Sequence, residues 1–339
     1  MIFTPKKVDK KSHKRRQKQI LLYLFAGVVL ILIFFSYHYG TEIYYRWTGD
    51  PIGRLQKQFE RVETKLPPNQ GDVVSIYEIL RNNRKILKFL AKDRPLSAEV
   101  YYLLGLDSFY ELMIRIPPTS KSLVQLCSRE ILPIPIEHDG MPNASITSIA
   151  FNITKNLRRS FSLDPSYKKR NRAIFALMYG DFFYTARTDP LLFRSLEQIN
   201  SDEMTDAFIP HYQWMAIGLY TIGGKEEDFL KFINTISSNK EKGRRQLEIS
   251  QGELMLLQAI TSFKAKNYLV SLRIVRQMKE IENISEELIV EALRLEGEIF
   301  YIQRGAESAL PFFREALKLA GGEDFLIQQR IEELENIKI

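Results

Sequence analysis

Between Ile20 and Tyr39 the chain reads ILLYLFAGVVLILIFFSYHY, and from Ile20 to Phe35 it holds no charged residue and no proline. A helix over the whole run is about 30 Å long, the thickness of a bilayer's hydrocarbon core. A buried helix of a water-soluble domain fits poorly, because charges crowd one end of the run. The run therefore predicts one transmembrane helix over 20–39. A cleaved signal peptide shares the basic start and the apolar core. It is disfavoured by Phe34, Phe35, Tyr37 and Tyr39, which stand where a signal peptidase needs small residues. No cysteine follows the core, which excludes lipoprotein processing.

Charge sets the orientation. The tail carries Lys6, Lys7, Lys10, Lys11, Lys14, Arg15, Arg16 and Lys18 against the single acid Asp9. Beyond the run, Gly40 to Asp50 holds only Glu42, Arg46 and Asp50. The positive-inside rule puts the N-terminus in the cytoplasm and the rest of the chain across the membrane. Tyr37, Tyr39, Tyr44, Tyr45 and Trp47 stand where an outer aromatic belt belongs. The chain's net charge of +7 resides entirely in residues 1–19, which leaves 40 basic and 40 acidic residues in the remainder. Such a body has no net basic charge with which to hold nucleic acid. Cys127 is the one cysteine, so an intramolecular disulfide is excluded. A large disulfide-free body suits a bacterial periplasm. The sequons at Asn143, Asn152 and Asn283 matter only in a glycosylating host, where a eukaryotic type II membrane protein becomes the alternative.

The body is punctuated as a series of helices. Asp50 and Pro51 read as N-cap and first helical position, followed by an apolar stripe of Ile52, Leu55, Phe59, Val62 and Leu66. The segment from Leu66 to Gly71 stops that helix. Asp72 reads as the cap of a second, with Val73, Ile76, Tyr77, Leu80, Leu87 and Leu90 on one face. Ser97 opens a third, which Pro117 and Pro118 end. A short helix is expected between Leu123 and Ile131. From 131 to 142 three prolines and Gly140 predict the longest irregular stretch, an extended segment laid along a neighbour. Ile146, Ile149, Ile153 and Leu157 step as a helix to Leu163, and Asp164-Pro165 begins a turn. Helical pattern resumes from Lys168 to about Arg187. Asp189-Pro190 opens another helix, Pro210 and Gly223-Gly224 punctuate the residues after it, and from Leu247 onward helices succeed one another. No strand alternation appears, so the fold class read from the sequence is all-α, with helices in antiparallel pairs.

The C-terminal part carries a repeat. In Val290 to Gly321, Gly297 and Phe300 fall on a first helix, and Ala309, Phe313, Ala316 and Leu317 on a second. Gly252 to Asn283 aligns with it, with Ala259 at the small position, Asn267-Tyr268 at the turn, then Ser271, Val275 and Met278. Gly180, Trp214 with Gly218, and Tyr101 with Gly105 mark fainter first helices. This pattern resembles the tetratricopeptide repeat (TPR), in which small residues mark the close approach of paired helices and aromatics fill the gap. An irregular helical bundle is the alternative. The resulting division is a basic tail 1–19, a transmembrane helix 20–39 and a juxtamembrane region with first helix 40–71. A divergent helical repeat region 72–240 and C-terminal repeats with a capping helix 241–339 complete the chain.

The resemblance implies an α-solenoid scaffold whose first helices line a protein-binding groove. It points to Leu256, Ile260, Phe263, Lys264, Arg294, Glu298 and Tyr301 as the groove residues. Leu256 and Ile260 occupy places where some members carry a Lys-and-Asn carboxylate clamp, which argues against capture of a C-terminal carboxylate. Chemistry for catalysis is sparse. Of four histidines, His13 and His38 lie in the tail and the apolar run, leaving His138 and His211. Glu137-His138-Asp139 are adjacent residues that converge poorly on one ion. There is no phosphate-cradling glycine loop, no H-E-x-x-H and no G-x-S-x-G. The sequence thus predicts no enzyme and no cofactor or metal. It predicts a single-pass protein of the bacterial inner membrane with a periplasmic body, which binds a protein partner and assembles or tethers an envelope complex in secretion, envelope biogenesis or a flagellar motor. A periplasmic chaperone for unfolded clients and an anchored enzyme are the competing readings.

Overall fold

The computed structural model describes residues 49–66, 68, 70–130, 144–184, 189–239 and 244–337, together with 23, 25 and 27–30. The tail 1–19, most of the predicted membrane helix 20–39 and the irregular stretch 131–142 lie outside the described residues. Within that run the described positions are helical, and Tyr23, Phe25, Val28 and Leu30 are exposed. Among the described residues no helix is long and apolar enough to cross a membrane.

The body is all-α, with no strand among the described residues. Its helices are α1 (Pro51–Glu63), α2 (Gln70–Asp93), α3 (Ala98–Arg115), α4 (Ser120–Arg129), α5 (Ala144–Leu163), α6 (Asn171–Tyr184) and α7 (Pro190–Glu197). They continue as α8 (Ile209–Ile222), α9 (Glu226–Asn239), α10 (Gln251–Lys264), α11 (Tyr268–Lys279), α12 (Glu286–Arg304), α13 (Ala306–Leu319) and α14 (Phe325–Asn336). Short 3-10 turns occupy Pro165–Lys169 and Ser201–Glu203.

The starts follow from capping. The Asp50 carboxylate accepts from the backbone N–H groups of Ile52 and Gly53, and Ser97 accepts from Val100. Each satisfies donors that the first helical turn leaves without a partner. Thr119 and Ser122 form a reciprocal capping box on α4, as do Ser250 and Glu253 on α10. Two expected starts move. The second helix begins at Gln70 rather than after Asp72, whose carboxylate lies in the first turn and pairs with Lys65 at 3.3 Å. The helix expected from Lys168 begins at Asn171, because Asp164 caps a 3-10 turn that runs through Lys169. The final helix starts at Phe325, with Asp324 as its cap.

Each helix packs on its successors. α2 runs antiparallel to α3, since Arg84 meets Asp107 while Tyr77 lies under Arg115. α3 packs most extensively on α5, and α5 in turn on α6. Further on, α8 packs on α10 and α10 on α12, while α9, α11 and α13 fill in beside them. One apolar core runs without a break from Leu55 to Ile299. A second, built on Val290, Leu293, Phe313, Ile327 and Leu334, joins α12 to α13 and α14. α12 serves both cores from two faces, Leu295 and Ile299 on one and Val290 and Leu293 on the other.

Small residues stand where helices approach most closely. A Cβ on Gly297 of α12 would lie 2.6 Å from the Phe313 ring of α13. One on Gly105 of α3 would lie 2.6 Å from Leu157 of α5, and one on Gly180 of α6 would lie 2.9 Å from Ile153 of the same α5. In the α10–α11 pair Ala259 is fully buried, and the Ser271 hydroxyl donates to its carbonyl at 2.7 Å. The serine that interrupts the alanine pattern therefore satisfies its own polar atom across the contact.

Gly297→Ala is expected to destabilise the protein by about 1–3 kcal/mol, overpacking against Phe313 outweighing the gain in helix propensity. Gly71→Ala in α2, whose Cβ meets nothing within 4 Å, is expected to be neutral or stabilising. Urea unfolding of both variants checks the contrast.

Candidate partner-binding face

α4 departs from the sequential packing. It is ten residues long and lies between α3 and α5 in the chain, yet it packs on α8 and α10. Its apolar side, Leu123, Val124 and Cys127, is buried. Gly218 of α8 gives it room, because a Cβ there would sit 3.4 Å from Leu123. Polar contacts fix its ends. Trp214 Nε1 of α8 donates to Ser122 Oγ at 3.0 Å, and Lys264 Nζ of α10 donates to the Glu130 carbonyl. Lys121 Nζ pairs with Glu287 of α12 at 2.8 Å. Lys264 thus satisfies a carbonyl at the C-terminal end of α4, where a cation is favoured by the helix dipole. Burial pulls its pKa down, and the Glu130 charge opposes this.

The residues expected to line a groove fall into two groups, one on α10 beside this helix and one on α12. Leu256 and Ile260 have no exposed surface, Phe263 is buried, and Lys264 is engaged by α4. Ile260 lies one turn before Lys264, on the same face of α10. In α12, Arg294 and Glu298 are buried, and Tyr301 is half-buried. Arg330 of α14 donates to both Glu298 oxygens, at 2.7 and 2.9 Å, and its guanidinium lies 4.7 Å from the Tyr301 ring centroid. Burial raises the Glu298 carboxyl pKa, and the Arg330 contacts oppose the rise. Arg294 Nη1 reaches Glu291, while its Nε and Nη2 have no hydrogen-bond partner. Lys264 and Tyr301 alone of the seven keep appreciable surface.

Two further ionic clusters lie near the start of the body. Glu63 of α1 accepts from Tyr110 of α3 and pairs in a two-pronged contact with Arg172 of α6 at 3.0 Å. Arg84 of α2 bridges Asp107 and Glu111 of α3, and Arg115 holds the other Glu111 oxygen at 2.8 Å. Asp107 is fully buried, and its Oδ1 has no hydrogen-bond partner. Burial pushes its carboxyl up to about 7, against the pull of Arg84.

His211, the one body histidine among the described residues, is fully buried on α8. Burial lowers its pKa to about 3, so the ring is neutral. Its Nδ1 lies 3.4 Å from the Tyr179 hydroxyl. Among the described residues no group of His, Cys, Asp and Glu is placed to hold a metal ion. Glu137, His138 and Asp139 lie outside the described residues.

The docking of α4 is not legible in the sequence. Leu123, Val124 and Cys127 announce an apolar face between Pro117-Pro118 and the 131–142 stretch, but nothing local names Trp214, Lys264 or Glu287 as its partners. No protein-family model matches the chain. No curated protein matches it either.

Arg330→Met is expected to cost about 3–5 kcal/mol, because it leaves Glu298 buried without its counter-charge; thermal unfolding reads the loss. A second expectation concerns pH. Asp107 binds its proton more tightly folded than unfolded, so folded protein carries the extra proton between its ordinary pKa of 3.8 and about 7. Stability from this group falls as pH rises through that window. Glu63, Asp181 and Glu298, also raised by burial, act in the same sense. Asp107→Asn is expected to flatten the decline without abolishing it, as measured by urea unfolding at several pH values.

Proposed function

We propose that this chain is a membrane-anchored scaffold of the bacterial envelope, with a TPR-like solenoid outside the cytoplasm that holds a protein partner. The observation that carries the reading is the recurrence of close helix contacts at small residues. Gly180, Gly218, Ala259 and Gly297 stand about 40 residues apart on α6, α8, α10 and α12, an interval in the range of helical repeats. Gly180 and Gly297 lie against neighbouring helices so closely that no Cβ fits without displacement. Stacking of α8 on α10 and α10 on α12 is the packing such arrays use.

The anchor and the orientation are part of the proposal and rest on the apolar run 20–39 and the basic tail before it. The 131–142 stretch follows α4 directly in the chain. The partner meets a body whose α8–α10 face is already filled by α4, so the Lys264 and Tyr301 surfaces are its points of access near the expected groove. The buried, neutral His211 offers an anchored enzyme no exposed base.

Crosslinking in native cells, followed by purification through a C-terminal tag after Ile339, tests this. One dominant stoichiometric envelope partner is expected. Many substoichiometric clients would favour a chaperone, and capture of no protein would return attention to an enzyme.

A further inference from the structure

Several helix ends meet at one end of the body. Gln56 of α1 donates to Glu99 at the start of α3 at 2.7 Å, while Tyr110 further along α3 reaches Glu63 at the end of α1, so α1 and α3 run parallel. α2 runs against both, which brings its C-terminal Lys92 to the same end as Asp50. α5 also finishes there, since Arg159 lies 5.9 Å from the Tyr101 ring centroid. The 3-10 turn comes next, with Tyr167 against Tyr102 at 5.0 Å and Arg170 stacked on Tyr167 at 3.9 Å.

This end is basic on its surface. Lys92, Arg94, Arg159, Lys168, Lys169 and Arg170 are all exposed there. Lys168 and Lys169 make no ion pair among the described residues. The row continues along α2 through Lys88, Lys85 and Arg81, exposed at helical spacing on the face turned away from α1 and α3. Four carboxylates share this end and are outnumbered by the six cations: Asp50 and Asp164 cap backbone N–H groups, Glu99 accepts from Gln56, and Asp93 lies beside Arg94. Leu96 stands 75% exposed in the turn between α2 and α3. The body as a whole is neutral, so this is a local concentration of charge.

We propose that this end of the body, carrying Lys92, Arg94, Arg159, Lys168, Lys169 and Arg170 around Leu96, docks on anionic lipid headgroups. The inference rests on the membrane-anchor reading above. It is at Asp50 that the chain arrives from the apolar run. The intervening residues Gly40 to Gly49 span at most about 35 Å when fully extended, so this end is held beside the bilayer. Exposed cations near a surface of anionic lipid are drawn to it within a Debye length, and an exposed leucine adds an apolar foothold. The basic residues all lie on α2, α5 and the turns beside them, so docking through them leaves α12 to α14 free for a partner.

The full chain, reconstituted into vesicles of phosphatidylcholine with or without about 30% phosphatidylglycerol, tests the proposal. One fluorophore is placed at Ser166→Cys in the 3-10 turn and, in a separate preparation, at Glu332→Cys on α14. Native Cys127 is buried and stays unlabelled. Lipids bearing a quencher on the headgroup report proximity. Quenching at position 166 is expected to be roughly threefold stronger with anionic lipid and to weaken in about 0.5 M salt. Position 332 is expected to show little in either vesicle. Lys168→Glu with Lys169→Glu is expected to abolish the anionic dependence while leaving helicity unchanged. A chain that floats with both vesicles in high salt yet shows no anionic-dependent quenching at 166 overturns the docking proposal and leaves the anchor intact; an acidic protein partner for the patch would give this result. A chain that fails to float with either vesicle in high salt overturns the anchor and the docking together.

Discussion

Backbone-to-side-chain approach at glycine is the constraint on which this body depends. At Gly105, Gly180 and Gly297 the facing side chain occupies the space a Cβ would take. A helix normally loses stability by carrying glycine. Here the loss is offset because the partner helix moves closer and buries large side chains, such as Phe313, completely. Gly105 and Gly180 both press on α5, from α3 and α6, at Leu157 and Ile153, which lie one turn apart on the same face. Successive elements stacked in this way allow a long chain with no disulfide to enclose a continuous core.

Polar groups inside that core serve as fixed points. Glu63, Tyr110 and Arg172 tie α1, α3 and α6; Arg84, Asp107 and Glu111 tie α2 to α3; Arg330 and Glu298 tie the last helix to α12. Such pairs add little net stability over apolar packing, but breaking one leaves a charge stranded. Each pair joins helices that also meet through the apolar core. Aromatic rings complete the centre: Phe109 of α3 meets Phe175 and Tyr179 of α6 and Phe208 at the start of α8.

Local chemistry is legible in the sequence. Asp50 and Ser97 as caps, the Leu55–Phe59–Val62 stripe and the Gly297–Phe313 contact each depend on residues close together or on a repeat spacing. Misplaced starts have local causes too. Asp72 is a helix-favouring acid at a start, but α2 already begins at Gln70; Lys168 continues a helical pattern, but the turn capped by Asp164 holds it. The illegible part depends on distant residues. Leu256 and Ile260 have the composition of a groove floor, and only the fold reveals that α4 packs against their helix. Glu298 has the look of a charged rim residue until Arg330, on another helix, is placed beside it.

The position of α4 has a consequence for how the chain acquires its structure. Its contacts Trp214, Lys264 and Glu287 come 92, 134 and 166 residues after their partners in α4. A helix of ten residues has little stability by itself. As the polypeptide is delivered from its N-terminal side, the apolar face of Leu123, Val124 and Cys127 therefore waits unsheltered until α8 and α10 have formed. Ordinary neighbour-by-neighbour stacking imposes no such delay. Docking of α4 therefore belongs with the non-local contacts that form late, as does the Glu63–Arg172 pair, whose members stand 109 residues apart.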